Sequence, residues 1–242
     1  MEYYNTLASD ASSGKKKFAV LLDPDKCRTD ILTEVIKLSL ESAVDYFFIG
    51  GSLLMNDNQA RLINRIKENT KIPVLIFPGN NLQLNNQADG ILLLSLISGR
   101  NAEMLIGRHV IAAPFLKASS LEIIPTGYML IESGRMTTVM YMSNTTPIPS
   151  DKNEIAVCTA LAGEMLGMKL IYMDAGSGAK NPVPAGMICA VKKEVKIPLI
   201  IGGGIVSPEM AQKAFSAGAD VVVVGNAIEQ TPGLIPEIAA MR

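Results

Sequence analysis

Apolar residues in this chain are concentrated in eight short runs, each long enough to form one β-strand. The runs occupy positions 18–22, 46–49, 74–77, 91–94, 128–131, 170–173, 199–201 and 221–224. Polar residues do not alternate with apolar ones inside a run, which indicates strands that are covered on both faces. Continuous runs of this kind are typical of a parallel sheet.

Helix signals stand between most of these runs. Asp151 and Glu154 form a capping-box pattern at the start of a helix predicted over 152–166. Ser207 and Pro208 predict another helix start, because serine caps helix N-termini and proline fits the first helical position.

Eight strand–helix units in a chain of 242 residues predict an α/β fold, a (β/α)8 TIM barrel, in a single domain over 1–242. A doubly wound open parallel sheet is the alternative. The segment 78–90 departs from the pattern, because it is short, polar and rich in asparagine where a crossover normally needs a helix. We therefore expect the helix between the third and fourth strands to be missing or replaced by an extended segment.

The last three strands end in glycine-rich loops. The sequence YMDAGSG occupies 172–178, glycines occupy 202–204, and Gly225 precedes Asn226. Glycine lets backbone N–H groups approach a ligand closely, and phosphate sites of TIM barrels cluster after the seventh and eighth strands. These loops predict a phosphate site, with ligand-free turns as the alternative. No arginine lies in them, so we expect backbone amides and hydroxyls to bind the phosphate.

Asp23 directly follows the first strand, and Ser52 ends the Gly50-Gly51-Ser52 turn after the second. Mg²⁺ commonly binds one or two carboxylates together with substrate phosphate oxygens, so this pair is a candidate metal site. The alternatives are that Asp23 caps its own loop and that Ser52 caps the following helix. His109 is the only histidine and lies away from every strand end, so histidine-based catalysis is not expected.

Charge and cysteine content narrow the possible classes. A formal net charge of −1 gives no support to nucleic-acid binding. Three widely separated cysteines argue against a disulfide framework or a CxxC metal site. The first residues do not form a signal peptide and no apolar run is long enough to span a bilayer, so we expect a cytoplasmic protein.

Several motifs together resemble the geranylgeranylglyceryl phosphate synthase family, and the related heptaprenylglyceryl phosphate synthases share part of them. They are FAVLLDPDK at 18–26, FIGGS at 48–52, PTGYMLIE at 125–132, YMSNTTPIPSDK at 141–152, YMDAGSG at 172–178, IGGGI at 201–205 and VVVGNAIE at 222–229. Any one motif is weak alone, but the combination is specific and covers nearly the whole chain.

The resemblance implies a prenyltransferase that joins the C3 hydroxyl of sn-glycerol 1-phosphate to a polyprenyl diphosphate and requires Mg²⁺. It matches Asp23 and Ser52 to the metal positions. Asp174 and Tyr172 are the candidate catalytic residues, with Asp174 orienting or deprotonating the attacking hydroxyl, directly or through water. The implied acceptor site comprises Tyr172, Met173, Asp174, Ala175, Gly176, Ser177, Gly178, Gly203, Gly204, Gly225 and Asn226.

The resemblance also implies a barrel without its third helix and a homo-oligomer. The motif at 141–152 favours geranylgeranyl diphosphate as the donor, with heptaprenyl diphosphate as the alternative. We expect an apolar groove for the prenyl chain near Tyr128 and at most transient membrane contact. Two other functions remain open, namely a TIM-barrel isomerase acting on a sugar phosphate and a phosphate-binding regulatory barrel without catalytic activity.

Overall fold

The computed structural model describes residues 2–56, 58–81 and 83–242. Eight parallel strands follow one another around a closed barrel, and β1 pairs with β8 from Lys17 opposite Val221 to Val20 opposite Val224. The strands are β1 (Lys17–Leu22), β2 (Tyr46–Ile49), β3 (Val74–Ile76), β4 (Gly90–Leu96), β5 (Glu122–Leu130), β6 (Leu170–Asp174), β7 (Leu199–Gly202) and β8 (Val221–Val224). The TIM-barrel prediction is confirmed, and the open-sheet alternative is wrong.

Helices connect most of the strands, and a π-helical turn (Glu103–Gly107) directly precedes α4. The helices are α1 (Glu2–Ser12), α2 (Thr29–Glu41), α3 (Gln59–Asn69), α4 (Arg108–Lys117), α5 (Thr138–Ser143), α6 (Asn153–Met165), α7 (Ala185–Glu194), α8 (Pro208–Ser216), α9 (Asn226–Gln230) and α10 (Leu234–Ala239). No helix in these described ranges is both long and apolar enough to cross a lipid bilayer.

The two predicted helix starts have different outcomes. Ser207 is the N-cap of α8, where its Oγ accepts a hydrogen bond from the Met210 N–H at 3.4 Å, and Pro208 is the first helical residue. The capping box at Asp151 is wrong. Helix α6 begins at Asn153 after Lys152, and no side chain caps it, because Asp151 lies one residue ahead of the N-cap position.

The described residues of the β3–β4 segment (77–89) form no helix, as predicted from their polar composition. The segment is held by side-chain hydrogen bonds instead. Gln83 is buried, accepts a hydrogen bond from the Gly79 N–H at 3.0 Å and donates one to the Gly51 carbonyl at 3.1 Å. It therefore ties this segment to the loop that follows β2.

Apolar side chains form two layers, one inside the barrel and one between the strands and the outer helices. Helix α1, which the apolar pattern does not predict, lies at the end of the barrel where the strands begin. Leu7 of α1 packs with the interior layer. The Glu122 carboxylate accepts hydrogen bonds from the N–H groups of Tyr3 and Tyr4 at 2.9 and 2.8 Å, which satisfies free donors at the start of α1.

Candidate active site

A cavity of about 550 Å³ opens at the C-terminal ends of the strands, where the βα loops of the barrel begin, and its volume is that of a small-molecule site. The acidic loop after β1 and the glycine loops after β6, β7 and β8 line the same cavity. The predicted site residues that line it are Asp23, Ser52, Tyr172, Asp174, Gly176, Ser177, Gly178, Gly203, Gly204, Gly225 and Asn226.

Met173 and Ala175 are the two predicted acceptor-site residues that do not line the cavity. Side chains alternate along a strand, so Met173 packs in the outer layer while Tyr172 and Asp174 face inward. The Ala175 N–H is also unavailable for a ligand, since it donates to the Gly202 carbonyl at 3.1 Å. The structure thus leaves these two positions out of the cavity lining, and their part in acceptor binding stays a prediction.

Asp174 ends β6 and is buried beside the cavity. Its Oδ2 accepts a hydrogen bond from the Tyr128 hydroxyl at 2.6 Å, and its Oδ1 accepts one from the Gly176 N–H at 2.7 Å. Burial raises the pKa of Asp174 above its ordinary value, and the two hydrogen bonds oppose that effect without cancelling it. A raised pKa makes this carboxylate a better proton acceptor for a hydroxyl bound in the cavity.

Tyr172 lies next to Asp174 on the wall of the cavity. Burial and the neighbouring Asp174 charge raise its pKa well above the ordinary value. Its hydroxyl therefore stays protonated and serves as a hydrogen-bond donor rather than as a base. Space for this hydroxyl depends on Gly202, because a Cβ added there would overlap with it.

Three aromatic rings stand together in the wall of the cavity. Phe77 stacks on Tyr172 with 4.9 Å between ring centroids, and Tyr128 lies 5.7 Å from Tyr172 and 6.0 Å from Phe77. All three residues line the cavity. Because aromatic faces attract cations, this cluster provides a favourable place for positive charge.

The loop after β7 approaches the loop after β6 so closely that only glycine fits. Gly203 has a φ of +78°, and a Cβ added to it would overlap with Asp174 Oδ1 and lie 2.6 Å from the Gly176 nitrogen. Helix α8 starts just behind this loop, at Pro208. The geometry is that of a backbone cradle for an anion.

The Asp23 carboxylate lies against the residue that precedes Ser52. A Cβ added to Gly51 would lie 3.1 Å from Asp23 Oδ2 and 3.2 Å from Oδ1. Lys26 Nζ pairs with Oδ2 at 2.8 Å. The loop-capping role is also present, since Oδ1 accepts the Asp25 N–H at 3.0 Å. Ser52 caps no helix, because α3 begins at Gln59.

These two loops fit a magnesium ion that completes its coordination with substrate oxygens. Their polar atoms are hard oxygen donors, and Asp25 Oδ1 is a buried carboxylate oxygen without a hydrogen-bond partner in the described part of the chain. Within that part, no group of three or more histidine, cysteine, aspartate or glutamate side chains is placed to hold a metal. One or two carboxylates together with substrate phosphate oxygens are a common ligand set for Mg²⁺.

Glu229 of α9 joins the two sides of the cavity. Its Oε1 accepts a hydrogen bond from the Asp23 N–H at 2.8 Å, while Gly225 and Asn226 at the start of α9 line the predicted phosphate site. Burial raises the pKa of Glu229, and the Asp23 N–H opposes that shift. The position of the acidic loop is thus tied to the loop after β8.

Beyond the aromatic rings, the cavity continues as an apolar groove. Its lining includes Leu84 from the β3–β4 segment and residues of β4, α4 and α5, among them Leu93, Ala112, Leu116, Val139 and Met142. His109 stands in the wall of this groove rather than at the surface, and its Nε2 donates to the Leu94 carbonyl at 2.9 Å. The groove lies beside Tyr128, where an apolar surface is expected from the sequence.

A closed barrel of eight parallel strands, with a mixed polar and apolar cavity at the strand ends, defines a TIM-barrel enzyme. The model of the PcrB family matches residues 12–241. The chain is 56% identical over 229 residues to the geranylgeranylglyceryl phosphate synthase of Spirosoma linguale, which covers 95% of this chain and 92% of that protein. It is 50% identical over 236 residues to the synthase of Chitinophaga pinensis, with 98% and 94% covered.

The structure is similar to the crystal structure of (S)-3-O-geranylgeranylglyceryl phosphate synthase from Thermoplasma acidophilum in complex with its substrate sn-glycerol-1-phosphate. The TM-score is 0.92 at 31% sequence identity, and the match covers 98% of this chain and 97% of that one. The protein belongs to the PcrB family, and the family resemblance inferred from its motifs is confirmed. These relatives give no support to the isomerase or to the regulatory barrel.

Proposed function

We propose that this protein joins the C3 hydroxyl of sn-glycerol 1-phosphate to geranylgeranyl diphosphate, forming an ether and releasing diphosphate. One observation carries the proposal: the acidic loop after β1 and the glycine loops after β6 to β8 face one cavity with Asp174 buried beside it. The names of the relatives and the acceptor bound to the Thermoplasma acidophilum enzyme support the same reaction.

The acceptor is bound by the glycine loops. Backbone amides around Gly203 and Gly204, which line the cavity, supply donors for its phosphate group. Ser177 Oγ donates to Asn226 Oδ1 at 3.2 Å, which holds the loops after β6 and β8 together. The glycerol hydroxyls then point toward Asp174 and Tyr172.

The donor places its diphosphate at the Asp23 loop and its prenyl chain in the apolar groove. Each CH₂ group removed from water contributes about 0.8 kcal/mol before the costs of ordering the chain. Asp23 and Ser52 are the residues that would hold Mg²⁺, which when bound neutralises charge on the departing diphosphate.

The chain's own residues favour an allylic cation and its capture. The bond between the prenyl carbon and the diphosphate oxygen breaks, and diphosphate leaves with the electron pair. Phe77, Tyr128 and Tyr172 stabilise the cation through their ring faces, and the buried surroundings exclude water that would otherwise react with it. The C3 oxygen forms the new bond, and its proton passes to Asp174.

Assembly into a homo-oligomer is part of the proposal. The outer face of α4 exposes Val110, Ile111 and Phe115, and Ile106 of the π-helical turn is also exposed. A patch of this kind on a protein surface is typical of an interaction site. Sedimentation equilibrium tests the assembly, and a monomer at all concentrations would contradict it.

An assay of diphosphate release tests the reaction. Farnesyl, geranylgeranyl and heptaprenyl diphosphates are compared, each with sn-glycerol 1-phosphate and with its mirror image. We expect the fastest release with geranylgeranyl diphosphate and sn-glycerol 1-phosphate, and none after chelation of Mg²⁺. Faster release with the heptaprenyl donor would favour the alternative donor, and no release with any donor would reject the transferase.

A further inference from the structure

Arg135 borders the acceptor site, although none of the glycine motifs contains it. It lies in the loop between β5 and α5, and its guanidinium lies against Gly178 in the loop after β6. A Cβ added to Gly178 would lie 2.7 Å from Arg135 Nη2 and 3.9 Å from Asn226 Nδ2. Gly178 and Asn226 both line the cavity, so the guanidinium stands at the edge of the phosphate cradle.

The charge of Arg135 is not neutralised by the protein. Its guanidinium forms no ion pair and donates no hydrogen bond to any residue that the structure describes. By contrast, Lys26, Lys192 and Arg242 pair with carboxylates at 2.8, 2.6 and 2.7 Å. An arginine that keeps all five N–H donors free beside an anion cradle is suited to bind a phosphate with two parallel hydrogen bonds.

The loop that carries Arg135 is packed against the loop after β6 on both sides of the arginine. On one side, the Asn181 N–H donates to the Ser133 carbonyl at 3.0 Å. On the other side, Thr137 is buried against Gly176, where an added Cβ would lie 2.7 Å from its Oγ1. The backbone at Arg135 is therefore held next to the cradle, and the side chain has only a short distance to reach into it.

We propose that Arg135 binds the phosphate group of the glycerol phosphate acceptor, an inference that rests on the proposed function. The expectation that backbone amides and hydroxyls alone bind this phosphate is thereby replaced. The diphosphate of the donor is the other anion in the cavity. Asp23 and Ser52 follow β1 and β2, however, which lie across the closed barrel from β5 and β6. The acceptor phosphate is therefore the closer partner.

The test compares R135Q and R135K with R65Q. Arg65 is an exposed arginine on α3 that does not line the cavity, so R65Q removes the same charge elsewhere. Calorimetry measures the Kd of sn-glycerol 1-phosphate without donor, and steady-state assays give kcat and the KM of each substrate. We expect R135Q to raise the Kd and KM for the acceptor about tenfold, or ~1.4 kcal/mol, at low ionic strength.

The same comparison separates this role from a structural one. The difference in acceptor affinity between R135Q and the parent becomes smaller as salt is added, because salt screens the charge interaction in the parent. R135K recovers part of the affinity for the acceptor, because lysine keeps the positive charge. It does not recover all of it, because lysine cannot form the two parallel hydrogen bonds of a guanidinium. In R135Q, the kcat and the KM for the donor stay close to those of the parent. In R65Q, the Kd, the kcat and both KM values stay close to those of the parent.

Two results would overturn the inference while leaving the proposed function intact. One is an R135Q variant that binds the acceptor as tightly as the parent, and the other is an increase confined to the KM of the donor. If the parent itself neither binds sn-glycerol 1-phosphate nor releases diphosphate, the proposed function fails and the inference fails with it.

Discussion

The Tyr128 hydroxyl donates a 2.6 Å hydrogen bond to Asp174 Oδ2 between neighbouring strands of the barrel. Both groups are buried, and burial raises the pKa of each. The hydrogen bond favours the ionised carboxylate and so opposes the effect of burial on Asp174. The pair therefore keeps the carboxylate available as a proton acceptor although it is removed from solvent.

Replacing Tyr128 with phenylalanine keeps the ring and removes this donor. We expect the pKa of Asp174 to rise further, because the Gly176 N–H alone remains to stabilise the charge. In the proposed reaction activity needs the ionised carboxylate, so activity is present above this pKa and lost as pH falls through it. The acid limb of the kcat profile should move to higher pH. At a fixed pH on that limb we expect kcat to fall about tenfold or more, since a hydrogen bond to a charged group contributes ~1.5–3 kcal/mol, or about one to two pKa units.

Tyr46→Phe is the matched control for that profile. Tyr46 is also a buried tyrosine of the barrel interior, but it begins β2 at the opposite end from the cavity. Its profile should match the parent. An acid limb in Y128F that does not move would contradict a proton-accepting role for Asp174.

Replacing Asp23 with asparagine removes a charge from the predicted metal loop at nearly constant size. We expect Mg²⁺-dependent release of diphosphate to fall roughly a hundredfold, because the departing charge loses its stabilisation. Binding of sn-glycerol 1-phosphate, measured by calorimetry, should largely survive, since the glycine loops supply its contacts. D30N changes an exposed aspartate that pairs with Arg28 and should behave as the parent. Parent-like turnover of D23N would contradict the metal assignment.

Replacing Gln83 with alanine leaves the Gly51 carbonyl and the Gly79 N–H without their side-chain partner. Because these groups are poorly solvated, we expect the free energy of unfolding to fall by about 1–3 kcal/mol. The KM for the prenyl diphosphate should rise, since the loop bearing Ser52 loses its support, while the KM for the acceptor stays unchanged.

Gln87→Ala is the control for this change, because Gln87 lies exposed in the same β3–β4 segment. Denaturant unfolding and steady-state kinetics of both variants are compared. Equal effects on the two KM values in Q83A would indicate general loosening of the fold rather than support of one loop.

The barrel was predictable because most strands are continuous apolar runs, and two elements depart from that rule for different reasons. Strand β5 begins at Glu122, whereas the apolar run begins only at 128, since Pro125 and Thr126 interrupt the hydrophobic pattern. Helix α1 escaped prediction because few of its residues are buried. Its position depends on Glu122, which is more than a hundred residues away in sequence.

The site likewise contains residues that the sequence could predict and residues that it could not. Asp23, Ser52 and the glycines were predictable because each directly follows a strand, and strand ends meet at one face of a barrel. The contacts of Gln83, the bond between Tyr128 and Asp174, and the position of Arg135 all join residues from different loops or strands. No local pattern marks such pairs, so only the folded chain brings them to light.

Replacing Gly203 with alanine tests how closely the glycine loops must approach each other. The new Cβ would overlap with Asp174 Oδ1 and lie 2.7 Å from the Ala175 nitrogen, at a backbone φ of +78°. We expect a loss of stability well beyond the ~1 kcal/mol of an alanine at positive φ, together with loss of acceptor binding.

Gly14→Ala isolates the backbone contribution to that loss. Gly14 has a nearly equal φ of +76°, but a Cβ there meets no atom within 4 Å. Denaturant unfolding of G14A should therefore report conformational strain alone, about 1 kcal/mol, with acceptor binding unchanged in calorimetry. If G203A were destabilised no more than G14A and still bound sn-glycerol 1-phosphate, the close contact between the loops after β6 and β7 would not be needed for the site.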